Sequence, residues 1–233
     1  MTVVALIPAH DEAERIATTV AATARIAGVD RVLVIDDGSA DDTAARAEAA
    51  GAEVLRLGRN VGKGAALDAG LASVRDDAHV VLLLDGDLGE SASQGERLLG
   101  PLLRGEADMT VATFPRPTGK AGFGLVKGLA RAGIRTLGGQ GFEPTAPLSG
   151  QRALGRTALD AVTPFAFGYG VEVALTVRAL RAGLRVVEVP TEMSHAATGR
   201  DVAGFAHRGV QFAHVARAIV ALAFERRPRA NGR

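Results

Sequence analysis

Short apolar runs alternate with longer Ala-rich stretches of helical spacing through the first half of the chain. The runs at 3–7, 31–35 and 79–84 are rich in Val, Leu and Ile, and those at 52–56 and 108–113 less so, as expected of buried strands. Between them, 12–27, 42–50, 64–74 and 93–104 carry apolar positions at helical intervals, with Asp41 or Asp42 as an N-cap before Thr43. Strand and helix repeated in this order imply right-handed crossovers and a mostly parallel sheet. A ligand then belongs at the carboxyl ends of the strands, where the residues after Ile7, Ile35 and Leu84 should converge. The second half is less regular. Helices are expected at 152–162 and 171–182, a strand at 185–189 stopped by Pro190, and a long apolar helix at 202–224. The simplest organisation is one domain over 1–200, with a first half at 1–113 and a second at 114–200, followed by a C-terminal helix and basic tail at 201–233.

Composition narrows the chemistry. The 233 residues include no Cys, which excludes a disulfide framework, a thiolate zinc site and a cysteine nucleophile. No apolar run reaches the length of a membrane span and no signal-peptide pattern opens the chain, so the expected location is the cytoplasm, with peripheral contact at the inner membrane face as an option. Residues 1–113 hold 10 Lys/Arg against 19 Asp/Glu, whereas 114–233 hold 17 against 7. An acidic half suits a divalent cation and a basic half suits an anion. Residues 114–142 hold eight glycines and five Lys/Arg but no acid, a pattern expected of a mobile lid over an anionic ligand. With one Tyr, no Trp and eight Phe in 233 residues, the chain is poor in the stacking residues of a nucleic-acid binder.

Acidic clusters stand where the strand-end rule points: His10-Asp11-Glu12, Asp36-Asp37-Gly38-Ser39 and Asp85-Gly86-Asp87. The second is equally a plain turn. The third sets two carboxylates one residue apart after an apolar strand, a pattern suited to Mg²⁺ or Mn²⁺ completed by substrate phosphates. Asn60-Val61-Gly62-Lys63-Gly64 opens a helix, where free N–H groups and the lysine favour an anion. The spacing is not that of a P-loop, and no G-x-G-x-x-G follows the first strand.

In order, P-A-x-x-E, D-D-G-S, N-x-G-K-G and D-x-D resemble the family 2 nucleotide-sugar glycosyltransferases over residues 3–90. That resemblance implies the GT-A fold, an α/β, Rossmann-like, mostly parallel sheet flanked by helices. It implies that Pro8, Ala9, Glu12, Asp36 and Asp37 surround the nucleoside and that Lys63 lies near the nucleotide. Asp85 and Asp87 would handle ribose, metal and diphosphate. Pro147-Leu148-Ser149-Gly150-Gln151-Arg152 and Phe167-Gly168-Tyr169-Gly170-Val171-Glu172 resemble the acceptor region of glucosyl-3-phosphoglycerate synthases; polyprenyl-phosphate glycosyltransferases share the plan. By that likeness His195 is a third metal ligand, and Glu172 joins Asp87 as a catalytic candidate by orienting the acceptor. Lys120, Ser149, Gly150, Arg152 and Tyr169 are acceptor candidates. The expected reaction is metal-dependent hexosyl transfer from a nucleotide sugar, preferably a UDP-sugar, to a phosphate-bearing acceptor. Polyprenyl phosphate is the first expectation, since the helix at 202–224 and its Arg-rich tail suit a bilayer surface. A soluble transferase acting on a small anion is the alternative, and a sugar nucleotidyltransferase a further one.

Overall fold

The computed structural model describes residues 1–114, 124–139, 141–166, 168–194 and 202–225, with backbone alone at Tyr169 and 202–208. Seven strands form a single sheet: β1 (Val3–Ala9), β2 (Arg31–Asp36), β3 (Glu53–Arg56), β4 (Val80–Leu83), β5 (Met109–Thr113), β6 (Arg152–Gly155) and β7 (Val186–Pro190). Their spatial order is β3-β2-β1-β4-β6-β5-β7. All neighbours run parallel except where β6 lies antiparallel between β4 and β5.

Apolar runs become strands here because both faces of the sheet are covered. Along β1, Val3, Ala5 and Ile7 enter one core cluster, and Val4 and Leu6 enter the other. The same alternation divides Val32 and Val34 from Leu33 and Ile35, and Val80 and Leu82 from Val81 and Leu83. With side chains pointing alternately to two buried faces, every position of a strand must be apolar. Helices α1 (Ile16–Ala24), α2 (Thr43–Ala49) and α4 (Glu96–Leu103) cover the first face through Ile16, Val20, Ala47, Leu98 and Leu99. Helices α3 (Lys63–Val74), α6 (Arg156–Val162) and α7 (Val171–Arg181) cover the second. A third cluster joins α5 (Gly124–Gly138) and α8 (Val202–Phe224) to the outer side of α7 through Val126, Ile134, Val177, Val215 and Leu222.

The expected helix at 152–162 is half wrong. Residues 152–155 are β6, and only 156–162 are helical. Ala153 packs on one face of the sheet and Leu154 on the other, a period of two that partners on both sides impose over local helical spacing. Of the anticipated lid at 114–142, residues 124–138 form a helix with Val126, Ala130 and Ile134 buried, while 115–123 and 140 lie outside the described residues. The first turn of α2 is held by Asp41, whose Oδ1 accepts from Thr43 N at 3.0 Å. The long final helix forms as expected, packed on α5 and α7, and among the described residues no helix is long and apolar enough to cross a membrane.

Two glycines test how tightly the helices pack. A Cβ at Gly70 of α3 would lie 2.6 Å from Ile35 Cγ1, inside a fully buried neighbour, whereas one at Gly128 of α5 meets nothing within 4 Å. Gly128→Ala should therefore raise stability by about 0.5–1 kcal/mol through helix propensity. Gly70→Ala should lower it by about 1–3 kcal/mol, because overpacking outweighs the same gain. Urea denaturation of the two variants measures both signs.

Candidate active site at the strand ends

The carboxyl ends of β1, β2 and β4 and the start of β6 meet at one edge. The turn after β4 brings Asp85, Gly86 and Asp87 there, and α3 begins beside it with Lys63. Lys63 Nζ donates to Asp85 Oδ1 at 2.7 Å and to Glu172 Oε1 at 3.1 Å. Glu172 lies in the first turn of α7, where a carboxylate meets the positive end of the helix dipole. Burial works against the Lys63 charge, but Asp85 and Glu172 outweigh it and hold the ammonium above the ordinary lysine range. Gln151 Nε2 donates to the other Asp85 oxygen, and Ser149 Oγ reaches Gln151 Oε1 at 3.3 Å. Gly150 sits directly over this cluster, since a Cβ there would lie 2.6 Å from Lys63 Nζ. A larger residue there would have to move the Lys63 ammonium away from its carboxylates.

The nucleoside candidates build the neighbouring rim. Pro8 and Ala9 end β1, and Ala9 faces Gly86 at 3.3 Å from where a Cβ would stand. Asp37 accepts from Val61 N at 2.7 Å and Gly62 N at 2.9 Å, so both its oxygens hold the loop that leads into Lys63. Asp36 accepts from Ser39 N at 3.1 Å. Asp11, with φ 55°, accepts from Ala40 N at 2.7 Å and donates its own N–H to Ser39 Oγ, which clips the β1 loop to the β2 loop. Asp36, Asp37 and Asp11 thus serve the backbone of the rim. Spacing alone carries no sign of this; the only hint was the turn-forming habit of Asp and Ser.

Glu12 packs against the D-x-D turn, with its Cγ 3.4 Å from the place a Gly86 Cβ would take. Burial, then the charges of Asp87 and Asp85, push its carboxyl up to about 7 against the pull of Arg15. A divalent cation suits this excess of negative charge. Among the described residues, no three His, Asp or Glu side chains converge as a preformed metal cage. Asp85 already accepts from Lys63 and Gln151, so a cation here would rest on Asp87 and on oxygens brought by a ligand. His195, the expected third ligand, lies outside the described residues, as does Lys120.

One acceptor candidate is corrected. Arg152 is fully buried in β6, and its guanidinium bonds Ser149 O, Glu172 O and Thr176 Oγ1, each at 2.9 Å. It cannot touch a ligand at the surface. The cationic residues of α5 are also partly spent, with Arg131 on Pro144 O and Arg135 on Glu143. The backbone of Tyr169 belongs to a 3₁₀ turn, Gly168–Gly170, which leads into Glu172.

The chain is similar to known proteins over most of its length. The family model for glycosyl transferase family 2 matches residues 4–163. Glycosyltransferase AglJ of Haloferax volcanii is 34% identical over 197 residues, covering 80% of this chain and 61% of that protein. The glucosyl-3-phosphoglycerate synthase of Mycolicibacterium paratuberculosis is 34% identical over 197 residues, covering 76% of this chain and 59% of that protein. The chain thus spans about three fifths of the length of these curated relatives. The crystal structure of glucosyl-3-phosphoglycerate synthase from Mycobacterium tuberculosis, in complex with Mn²⁺, UDP and phosphoglyceric acid, superposes with a TM-score of 0.78 at 28% identity. It covers 97% of this chain and 79% of that one.

The raised Glu12 carboxyl has a thermodynamic consequence. A folded-state pKa of about 7 against an ordinary 4.5 means the fold binds this proton more tightly than the unfolded chain does. Its contribution is complete below 4.5 and declines as pH climbs to about 7. Without divalent cations, the melting temperature of Glu12→Gln relative to the parent should rise across that interval and level off above it. Scanning calorimetry from pH 4 to 8 gives the profile; a flat difference would refute the shift.

Proposed function

We propose that this chain, which belongs to glycosyl transferase family 2, transfers a hexosyl group from a UDP-sugar to a small acceptor bearing a phosphate or carboxylate. The observation that carries the reading is Lys63, set between Asp85 and Glu172 at the strand ends. An ammonium has three N–H donors. Two are engaged by these carboxylates, and the third suits a diphosphate oxygen or a sugar hydroxyl. In this reading Asp37 holds the phosphate-side loop, Gln151 fixes the orientation of Asp85, and Glu172 orients the acceptor or the sugar. The bond from the anomeric carbon to the nucleoside diphosphate breaks, and one to an acceptor oxygen forms. Bound Mg²⁺ or Mn²⁺ would stabilise the charge of the departing diphosphate, with Asp87 its chief protein ligand. The Mn²⁺, UDP and phosphoglyceric acid present in the M. tuberculosis relative support this donor, metal and acceptor class.

A second reading keeps polyprenyl phosphate as the acceptor. It is favoured by one feature, the exposed apolar residues Val210, Phe212, Val220 and Phe224 of α8. A cytoplasmic setting accords with the first reading and a peripheral membrane contact with the second.

Calorimetry with UDP tests the donor site. Mn²⁺ should tighten UDP binding by about tenfold or more in the parent, roughly 1.4 kcal/mol. Asp87→Ala should lose that increment while keeping the affinity measured in EDTA. Equal affinity with and without Mn²⁺ in the parent would remove the metal from the reading. Mass spectrometry of products separates the acceptors when UDP-glucose is offered with 3-phosphoglycerate or with polyprenyl phosphate in detergent. Product from the first supports the main reading, and product from the second alone supports the other.

A further inference from the structure

Arg152 heads the fully buried side chains by volume, and it is the charged one among them. Its guanidinium lies in the second core layer beside Met109, with Sδ at 3.9 Å. Among the described residues, no carboxylate accepts a hydrogen bond from it. Burial pulls the group down to about 10, and Glu172 and Glu188 act on it only through space. The guanidinium therefore stays cationic at neutral pH in a place where a hydrophobic side chain of similar volume would pack at lower cost. Stability alone does not account for it.

Its hydrogen bonds account for it better. Nε donates to Ser149 O, Nη1 to Thr176 Oγ1 and Nη2 to Glu172 O, each at 2.9 Å. Thr176 Oγ1 in turn donates to Glu172 O at 3.0 Å, so two donors converge on one carbonyl in the first turn of α7. On the other side, Ser149 begins the stretch that lays Gly150 over Lys63 and sends Gln151 to Asp85. One rigid planar fork thus spans the two segments that enclose Lys63. We infer that Arg152 is a positioning residue, which sets the gap between the Ser149–Gln151 shelf and the start of α7 and so aligns Gln151 and Glu172 around Lys63. Its part in catalysis rests on the transfer reading above; its part in geometry does not.

The test uses Arg152→Lys, which keeps the charge and loses the fork, and Arg152→Met, which keeps much of the volume and loses the charge. Amide hydrogen exchange reads the two segments directly, at 149–151 and 171–177, with strands β1 and β4 as the internal reference. In Arg152→Lys, exchange in those segments should quicken by about tenfold or more while β1 and β4 keep their protection and circular dichroism shows a cooperative folded state. UDP affinity should stay within about twofold, whereas kcat should fall about tenfold in Arg152→Lys and about a hundredfold in Arg152→Met. Adding Arg152→Met to Glu172→Gln should cost less than about twofold more in kcat, because both changes disable one arrangement. If Arg152→Met fails to fold, Arg152→Lys with Glu172→Gln completes the same cycle. Unchanged exchange in both segments, or fully additive losses in kcat, would overturn the inference. A parent that moves no sugar at all would instead overturn the transfer reading, and exchange in Arg152→Lys would still decide the role of Arg152.

Discussion

The ion cluster of Lys63, Asp85 and Glu172 is the interaction on which the rest of the site depends. Its members come from the start of α3, the turn after β4 and the first turn of α7, so the cluster forms only when both halves of the chain are in place. The first half supplies Lys63 and Asp85, and the second supplies Glu172 and the Gly150–Gln151 shelf. Exposed pairs of this kind contribute little, but here Glu172 is buried and Lys63 is partly shielded. Removing one partner would leave the others uncompensated. The contact runs against the charge asymmetry of the halves, since its cation comes from the acidic half and Glu172 from the basic one.

Around that cluster, acidic residues divide into two kinds. Asp85 and Glu172 bear on Lys63, and Glu12 and Asp87 bear on each other. Asp11, Asp36, Asp37 and Asp41 are spent on backbone N–H groups of the rim. A carboxylate bound to two peptide N–H groups stiffens a loop at little entropic cost, because it replaces hydrogen bonds to water that the loop would otherwise need. Asp37 is the clearest case: its carboxylate fixes Val61 and Gly62 and so determines where α3 begins and where Lys63 stands. The motif is dense in acid because the rim is almost all loop.

What could be read from the amino acids follows from the range of the forces involved. The strands of the first half were legible because burial on both faces demands unbroken apolar runs, and their helices because one face must be polar. Lys63, Asp85 and Asp87 were legible from their places after those strands. Glu172 was singled out, but not its contact with Lys63, which spans 109 positions. β6 was not legible, since four residues next to a genuine helix carry too little pattern to declare a strand. Arg152 misled for a related reason. An arginine beside a Ser-Gly turn suggests a surface anion site, and only its place in a strand between β4 and β5 turns it inward.

That place matters again during synthesis. Strands β1 to β4 are adjacent in space and can assemble as they leave the ribosome, with β4 as an open edge. β5 comes next along the chain, but its place is not beside β4. It must wait for β6, which begins at residue 152 and fits between the two. At about 5–20 residues per second, an apolar strand edge and an apolar strand coexist unpaired for a time on the order of seconds. The nascent chain is most exposed to wrong pairing in that interval, and the arrival of β6 closes the facing edges of β4 and β5 in a single step, leaving the outer edge of β5 to β7.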